Sequence, residues 1–318
     1  MVTIDDILAA QQNIKDHVHR TPILTSTLLD EVSKNTIFLK SEHLQKTGSF
    51  KIRGATNKVQ QVVKEGAKYI TAASSGNHGQ AVAYIANEFG IPATIVVPED
   101  ANAVKTAAIE AYNGKIVKCG TTSAERIPKA IELATENDGV FIPPYDDSYI
   151  IAGQGTLGLE ILEQVPDVDI IVVPVGGGGL ISGILTAVKQ TNPHVRVIGV
   201  EPESANDTHL SLQSGEITAI PATTTIADGL RTSQPGNLTF PIVKKYLDDL
   251  VLVSEEEIKV AFQFLLERTK QMAEPSSAVT IAAILSGKLN VEGKKIVAVL
   301  SGGNVDLQQV NDFLPKVK

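Results

Sequence analysis

Short apolar runs alternate with longer stretches of helical period along most of this chain. "YITAA" (69–73) precedes "GQAVAYIANEFG" (79–90), "ATIVVP" (93–98) precedes "ANAVKTAAIEAY" (101–112), and "KIVKC" (115–119) precedes "SAERIPKAIELATEN" (123–137) before "VFIPP" (140–144). The same rhythm resumes after "AGQGTLGLEILEQV" (152–165) with "DIIVVPV" (169–175), "LISGILTAVKQ" (180–190) and "VRVIGVE" (195–201). Runs of four to seven residues bounded by Gly and Pro read as buried strands, and strand–helix alternation implies right-handed crossovers and largely parallel sheets. The amino-terminal segment, with a capping residue, early acids and apolar positions at Ile7, Ile14 and Val18, predicts an amphipathic helix. Near the other end, Ser254 and Glu257 form a capping-box pattern before "IKVAFQFLLERTK" (258–270). A further helix, "PSSAVTIAAILSG" (275–287), precedes a last strand, "KIVAVLSGGN" (295–304). No repeat or low-complexity linker divides the chain, so two interleaved sheets fit the pattern better than two beads on a string.

Composition narrows the function classes. A net charge of −8 with few aromatics and no Trp argues against a nucleic-acid or anionic-membrane partner. The single cysteine, Cys119, excludes an internal disulfide and a cysteine zinc cluster. The uncharged run 170–188 approaches bilayer length, but Pro174 and four consecutive glycines interrupt it, so strand, turn and helix are expected there. No signal peptide is read at the start, and a cytoplasmic enzyme is expected.

Polar turns close several predicted strands, where open α/β sheets bind ligands. Gly176, Gly177, Gly178 and Gly179 sit at a strand–helix junction. There, backbone N–H groups and the helix N-terminus suit an anion, and a flexible turn is the plainer alternative. Neither G-x-G-x-x-G at this turn nor a P-loop motif is present, which favours a single phosphate over a nucleotide. "SSGNHG" (74–79) is either a serine-capped helix start or a carboxylate site. In "LQKTGSFKIRGA" (44–55), Lys51 stands between Phe50 and Ile52. Apolar surroundings disfavour its ammonium form, freeing an amine to condense with an aldehyde, unless it snorkels to the surface. Amine, anion cradle, the Ser301 hydroxyl and the Asn77 amide together match the four functional groups of pyridoxal phosphate.

The segments "TGSFKIRGA", "SSGNHGQA", "AGQGT", "PVGGGGLISG", "TIADG", "EPSSA" and "LSGGNVDL" occur in this order over nearly the whole chain. In this the chain resembles the fold type II pyridoxal-phosphate enzymes, a tryptophan-synthase-β-like α/β class of two parallel-sheet domains. Within them it is most similar to the serine racemase and serine/threonine dehydratase branch, closest to serine racemase.

The resemblance implies a large domain of residues 1–67 plus 146–318, a small mobile domain of 68–145, the cofactor between them, and a homodimer. It implies Lys51 as the Schiff-base lysine and Phe50 against the ring. Gly176–Gly179 would take the phosphate, Asn77 the ring hydroxyl, Ser301 the ring nitrogen, and Ser74, Asn77 and His78 the substrate carboxylate. Ser75 would be the second proton-transfer group that racemisation needs, or only a small polar residue at a helix start.

Glu201, the Ala205 carbonyl and Asp207 would hold Mg²⁺ (or Ca²⁺ or Mn²⁺), against a plainer reading as a helix cap and a solvated acid. Thr27, Lys46, Thr47, Gln80 and Tyr112 correspond to a site where ATP acts as an activator. The expected activity is interconversion of L- and D-serine with dehydration of serine and threonine. The alternatives are a dedicated threonine/serine ammonia-lyase, a hydroxyaspartate dehydratase using Arg231, or a non-catalytic amino-acid-binding module.

Overall fold

In the computed structural model, residues 1–101 and 103–316 are described. The chain opens with α1 (Ile4–Ile14), β1 (Ile23–Thr25), α2 (Thr27–Ser33), β2 (Thr36–Ser41) and α3 (Lys51–Lys64). Next come β3 (Ile70–Ala73), α4 (Asn77–Glu88), β4 (Ala93–Val97), α5 (Ala103–Ala111), β5 (Lys115–Lys118), α6 (Ser123–Glu136) and β6 (Val140–Phe141). It continues through α7 (Ser148–Gln164), β7 (Ile170–Pro174), α8 (Gly179–Thr191), β8 (Arg196–Pro202) and α9 (Asp207–Ser214). The final elements are α10 (Thr239–Tyr246), β9 (Asp249–Val253), α11 (Glu255–Phe264), α12 (Pro275–Leu285) and β10 (Lys295–Leu300). Asn102, within the helix predicted over 101–112, lies outside the described residues.

Two sheets form. Six strands run in the order β1-β2-β10-β7-β8-β9 and four in the order β5-β4-β3-β6. Every pairing is parallel except β1 with β2. The central parallel strands are buried on both faces because helices cover both, and β7 (Ile-Ile-Val-Val-Pro) is buried at every position. The Ile, Val and Leu side chains of β7, β8 and β10 divide between two clusters. One is completed by α11 and α12, the other by α7 and α8. A third cluster joins α3 and α4 to the four-stranded sheet. The amino-terminal helix starts as its sequence predicts, Thr3 and Asp6 forming a capping box. Ser254 and Glu257 do the same for α11.

Three strands escape the periodicity: β1, β2 and β9. β2 carries Lys40 at full burial, a residue that argues against a core strand until its partner Glu160 on α7 is seen 2.6 Å away. The α11 segment also departs from expectation: the helix ends at Phe264, widens into a π turn over Leu265–Thr269, and stops at Lys270 in the left-handed region. Among the described residues, no helix is long and apolar enough to cross a membrane.

Candidate active site

Parallel topology brings the carboxyl ends of β2, β7, β8 and β10 to one side of the larger sheet, and Asn77, just after β3 of the smaller one, reaches Glu274 and Asn304 there. From β2 the chain passes through two short 3₁₀ turns into α3. Gly48 is required in the second: its φ is +71°, and a Cβ there would lie 2.5 Å from Asn304 Oδ1. Ser49 bridges Gly302, and Phe50 N–H donates to Ser301 O at 3.0 Å, which fixes the start of α3 beside the 301–304 turn.

Lys51 is thereby the first residue of α3. Its Nζ donates to Pro144 O at 2.8 Å and lies 5.2 Å from the Phe50 ring centroid. Burial pushes its pKa down to about 8, a shift partly opposed by the Glu274 carboxylate. With the side chain half-buried and its Nζ turned onto a backbone oxygen, the geometry speaks against the snorkelling alternative.

The glycine run joins β7 to α8, and its four N–H groups find no protein acceptor among the described residues. Glycine is demanded here by neighbours as well as by the turn. A Cβ on Gly177 would lie 2.4 Å from the Tyr145 ring, and one on Gly179 2.8 Å from Tyr145 Cβ. Gly178 has φ +88° and would meet Thr239 Oγ1 at 2.8 Å. Thr239 Oγ1 also donates to Gly177 O at 2.8 Å. Asp146 in turn accepts from Asn237 N and Leu238 N at 2.9 and 2.7 Å, holding the start of α10 against the loop.

Asn77 is gripped from both sides. Its Nδ2 donates to Glu274 Oε1 at 2.8 Å and its Oδ1 accepts from Asn304 Nδ2 at 2.7 Å, leaving one amide N–H for a ligand. Ser301 Oγ lies 3.2 Å from Ser277 Oγ. The Ser277 hydroxyl donates to Gly302 O, so Ser301 is the donor between the two serines, and a ring nitrogen would have to draw that hydrogen away from Ser277 Oγ.

The cap of α4 is Gly76, without a side-chain bond, so neither Ser74 nor Ser75 caps the helix. Ser74 Oγ accepts from Gly76 N at 3.3 Å, and Ser75 lies half-buried in the same turn. His78 Nε2 donates to Ile142 O at 2.9 Å. Burial, with the Lys51 charge adding, pushes its pKa down to about 3. Its imidazole is therefore neutral and turned to the backbone. What His78 offers a carboxylate is its main-chain N–H in the first turn of α4.

Glu201 accepts from Thr208 N and His209 N at 3.1 and 3.0 Å, so Glu201, not Asp207, caps α9. Burial and the Asp207 charge push Glu201 up to about 8, and burial pushes Asp207 up to about 7. Two buried carboxylates beside the Ala205 backbone fit the oxygen ligands a hard cation takes, and each Glu201 oxygen keeps a lone pair. Among the described residues, no group of three His, Cys, Asp or Glu gathers as a metal cluster.

Lys46 Nζ lies 6.0 Å from the Tyr84 ring, which meets Tyr112 edge-on at 5.3 Å. Thr47 and Gln80 are buried nearby, on the 3₁₀ turn and on α4. Thr27 is exposed at the start of α2, and no hydrogen bond or ring contact joins it to these residues. The exposed Arg231 is folded back on its own loop, donating twice to Thr225 O, so the geometry does not present it as a receptor for a second carboxylate.

Sequence reasoning passed over Glu274, Tyr145, Thr239 and Asn304. For Tyr145 the available signal was an aromatic followed by two acids straight after a predicted strand.

An inward-turned amine, four N–H groups at a helix start without an acceptor among the described residues, a hydroxyl and an oriented amide complement an aldehyde, a phosphate, a ring nitrogen and a ring hydroxyl in one molecule. Residues present thus fit pyridoxal phosphate. Comparison with known proteins agrees. Residues 14–302 match the model of the pyridoxal-phosphate dependent enzymes. An L-threonine ammonia-lyase of Thermotoga maritima is 47% identical over 99% of this chain and 79% of its own length. The catabolic L-threonine dehydratase TdcB of Escherichia coli K12 is 45% identical over 98% and 96%. Among solved structures, maize serine racemase superposes with a TM-score of 0.94 at 41% identity, covering 98% of this chain and 96% of its own. The serine racemase of Dictyostelium discoideum gives 0.89 at 44%, covering 96% and 99%.

Proposed function

Because this chain belongs to the pyridoxal-phosphate dependent enzyme family, we propose that it is an ammonia-lyase that dehydrates L-threonine and L-serine to a 2-oxo acid and ammonia. Serine racemisation, the first expectation from the motifs, becomes the second reading. The curated relatives described above are named for threonine, which supports the lyase. The observation that carries the chemistry is the Lys51 amine held on Pro144 O, next in sequence to the Tyr145 that packs on the glycine run, with burial pushing it toward its free-base form.

When bound, pyridoxal phosphate supplies an electron sink that acidifies the substrate Cα–H. The N–H groups of Gly176–Gly179 and the N-terminus of α8 hold the phosphate. The free N–H of Asn77 would meet the ring hydroxyl, and Phe50 would lie against the ring. Ser301, a neutral hydroxyl, would meet the ring nitrogen and leave it less protonated than an acid does, which favours prompt elimination. The main-chain N–H groups of Asn77 and His78, with Ser74, receive the substrate carboxylate. Lys51 would take the Cα proton, and the ammonium so formed can return that proton to the β-hydroxyl, which leaves as water.

Closure of residues 68–145 over the substrate would exclude solvent, and Asn77 already ties that segment to Glu274 and Asn304. A divalent cation at Glu201, Ala205 and Asp207 would offset two buried negative charges. A homodimer, ATP activation at Lys46, Thr47, Gln80, Tyr112 and Thr27, and a cytoplasmic location complete the reading. Loss of any ATP effect in a kinetic titration removes the nucleotide part.

Chiral analysis of products from L-threonine and L-serine tests the proposal. A 2-oxo acid and ammonia in excess over any D-isomer support it, and a D-isomer as main product reverses it. Ser75→Ala separates the two readings: under the lyase reading, 2-oxo acid formation persists, while any D-serine formation is lost only if Ser75 carries the second proton.

A further inference from the structure

An amino acid arriving at this site is an ammonium ion at neutral pH, and its nitrogen cannot attack a carbonyl carbon until a proton has left. The groups around Lys51 offer few acceptors. His78 is neutral with its Nε2–H on Ile142 O, and its low basicity makes it a poor proton acceptor. Asp146 and Asp147 are occupied capping α10 and α7. Lys51 itself is condensed with the cofactor in the working enzyme.

Glu274 is differently placed. It precedes the first residue of α12, yet its side chain makes no cap bond to that helix and turns toward Asn77, at 2.8 Å. It is 4% exposed, and a Cβ on Gly302 would lie 2.7 Å from its Oε1. Glycine at 302 therefore keeps the space into which this carboxylate projects. Its Oε1 accepts the Asn77 N–H, and the Lys51 amine is close enough to feel its charge.

We propose that Glu274 is the proton acceptor that deprotonates the incoming substrate ammonium. The step balances simply: a carboxylate and an ammonium become a carboxylic acid and a free amine, and the acid loses its proton to water between turnovers. This assignment rests on the ammonia-lyase reading for the identity of the substrate and on the geometry for the residue. Among the described residues, the titratable groups near Glu274 include Lys51 from α3 and, past it, His78 from α4. Asp228, on the loop packed against Ser276, is exposed, and His43 is tied to Gln271 at 2.9 Å.

Glu274→Gln keeps an oxygen for Asn77 and removes only the charge. In the reconstituted enzyme, kcat/KM for L-threonine should fall by about 100-fold, the scale of a lost general base. The acid limb of its pH profile should vanish, while Glu274→Asp retains that limb at a reduced rate. A second readout needs no turnover. In the full chain without cofactor, competitive acetylation of Lys51 followed by peptide mass spectrometry should show a lower midpoint in Glu274→Gln, because burial then acts on the amine unopposed. If the chain deaminates neither amino acid, the ammonia-lyase reading fails, and the Lys51 midpoint still reports on Glu274. A variant with reduced rate but an unchanged acid limb and Lys51 midpoint, or one with wild-type kcat/KM, overturns the proposal.

Discussion

Arg53 lies two residues beyond Lys51, fully buried, and its removal should be among the most costly single changes in the molecule. Its Nε and Nη2 meet the two oxygens of Glu42 at 2.8 Å each, and its Nη1 meets Glu160 Oε1 at 2.7 Å. Lys40 completes the group through Glu160. Two positive and two negative charges thus cancel where no water reaches, and they join α3 to β2 and α7. Arg53→Met conserves much of the volume and leaves one uncompensated buried negative charge. Breaking such a pair costs about 3–5 kcal/mol. For 318 residues, an unfolding entropy of about 0.7 kcal/mol/K turns that into a Tm about 4–7 °C lower. Differential scanning calorimetry of Arg53→Met against Arg53→Met/Glu42→Gln checks the cause, because the double variant restores neutrality and should regain at least half of the loss. A single variant within about 1 °C of wild type, or a double variant below the single one, refutes the electrostatic explanation.

Gly177→Ala forces a methyl group into the Tyr145 ring; about 1–3 kcal/mol of stability and much of the cofactor affinity should be lost, with Tyr145→Leu recovering part of both in calorimetry and absorbance titration. In the chain without cofactor, Lys51 labelling by acetic anhydride should rise through a midpoint near pH 8, where exposed lysines respond about two units higher. The sign follows from burial, which disfavours the ammonium and enlarges the reactive amine fraction as pH increases through that value. Mg²⁺ at about 100 times its dissociation constant should stabilise the fold by about 2.7 kcal/mol, reversibly with a chelator, and Glu201→Gln/Asp207→Asn should show no such response.

Much of the fold is legible because buried parallel strands are continuous apolar runs and the helices between them keep their period. β3, β4, β7, β8 and β10 announce themselves this way, whereas β5, an edge strand with a lysine at each end, is marked by its place in the alternation. β2 does not, since its Lys40 is made tolerable by Glu160, which lies 120 residues away in sequence. β9 is an edge strand with half-buried positions and so lacks an uninterrupted core pattern. The site divides similarly. Lys51 and the glycine run stand out locally, the first by its apolar neighbours and the second by four residues that leave no side chain to pack. Glu274 gives no local sign, because an acid before a proline at a helix start reads as an ordinary cap. Only the fold turns it toward Asn77. Tyr145 and Thr239 are silent for the same reason: their role is to press on glycines that lie 32 and more positions away.

The central claim is that Lys51 carries pyridoxal phosphate, and trapping tests it most directly. The protein, incubated with pyridoxal phosphate and reduced with borohydride, should yield one pyridoxyl-modified peptide, bearing the adduct on Lys51. An unmodified Lys51, or an adduct spread over exposed lysines with Lys51 spared, would contradict it.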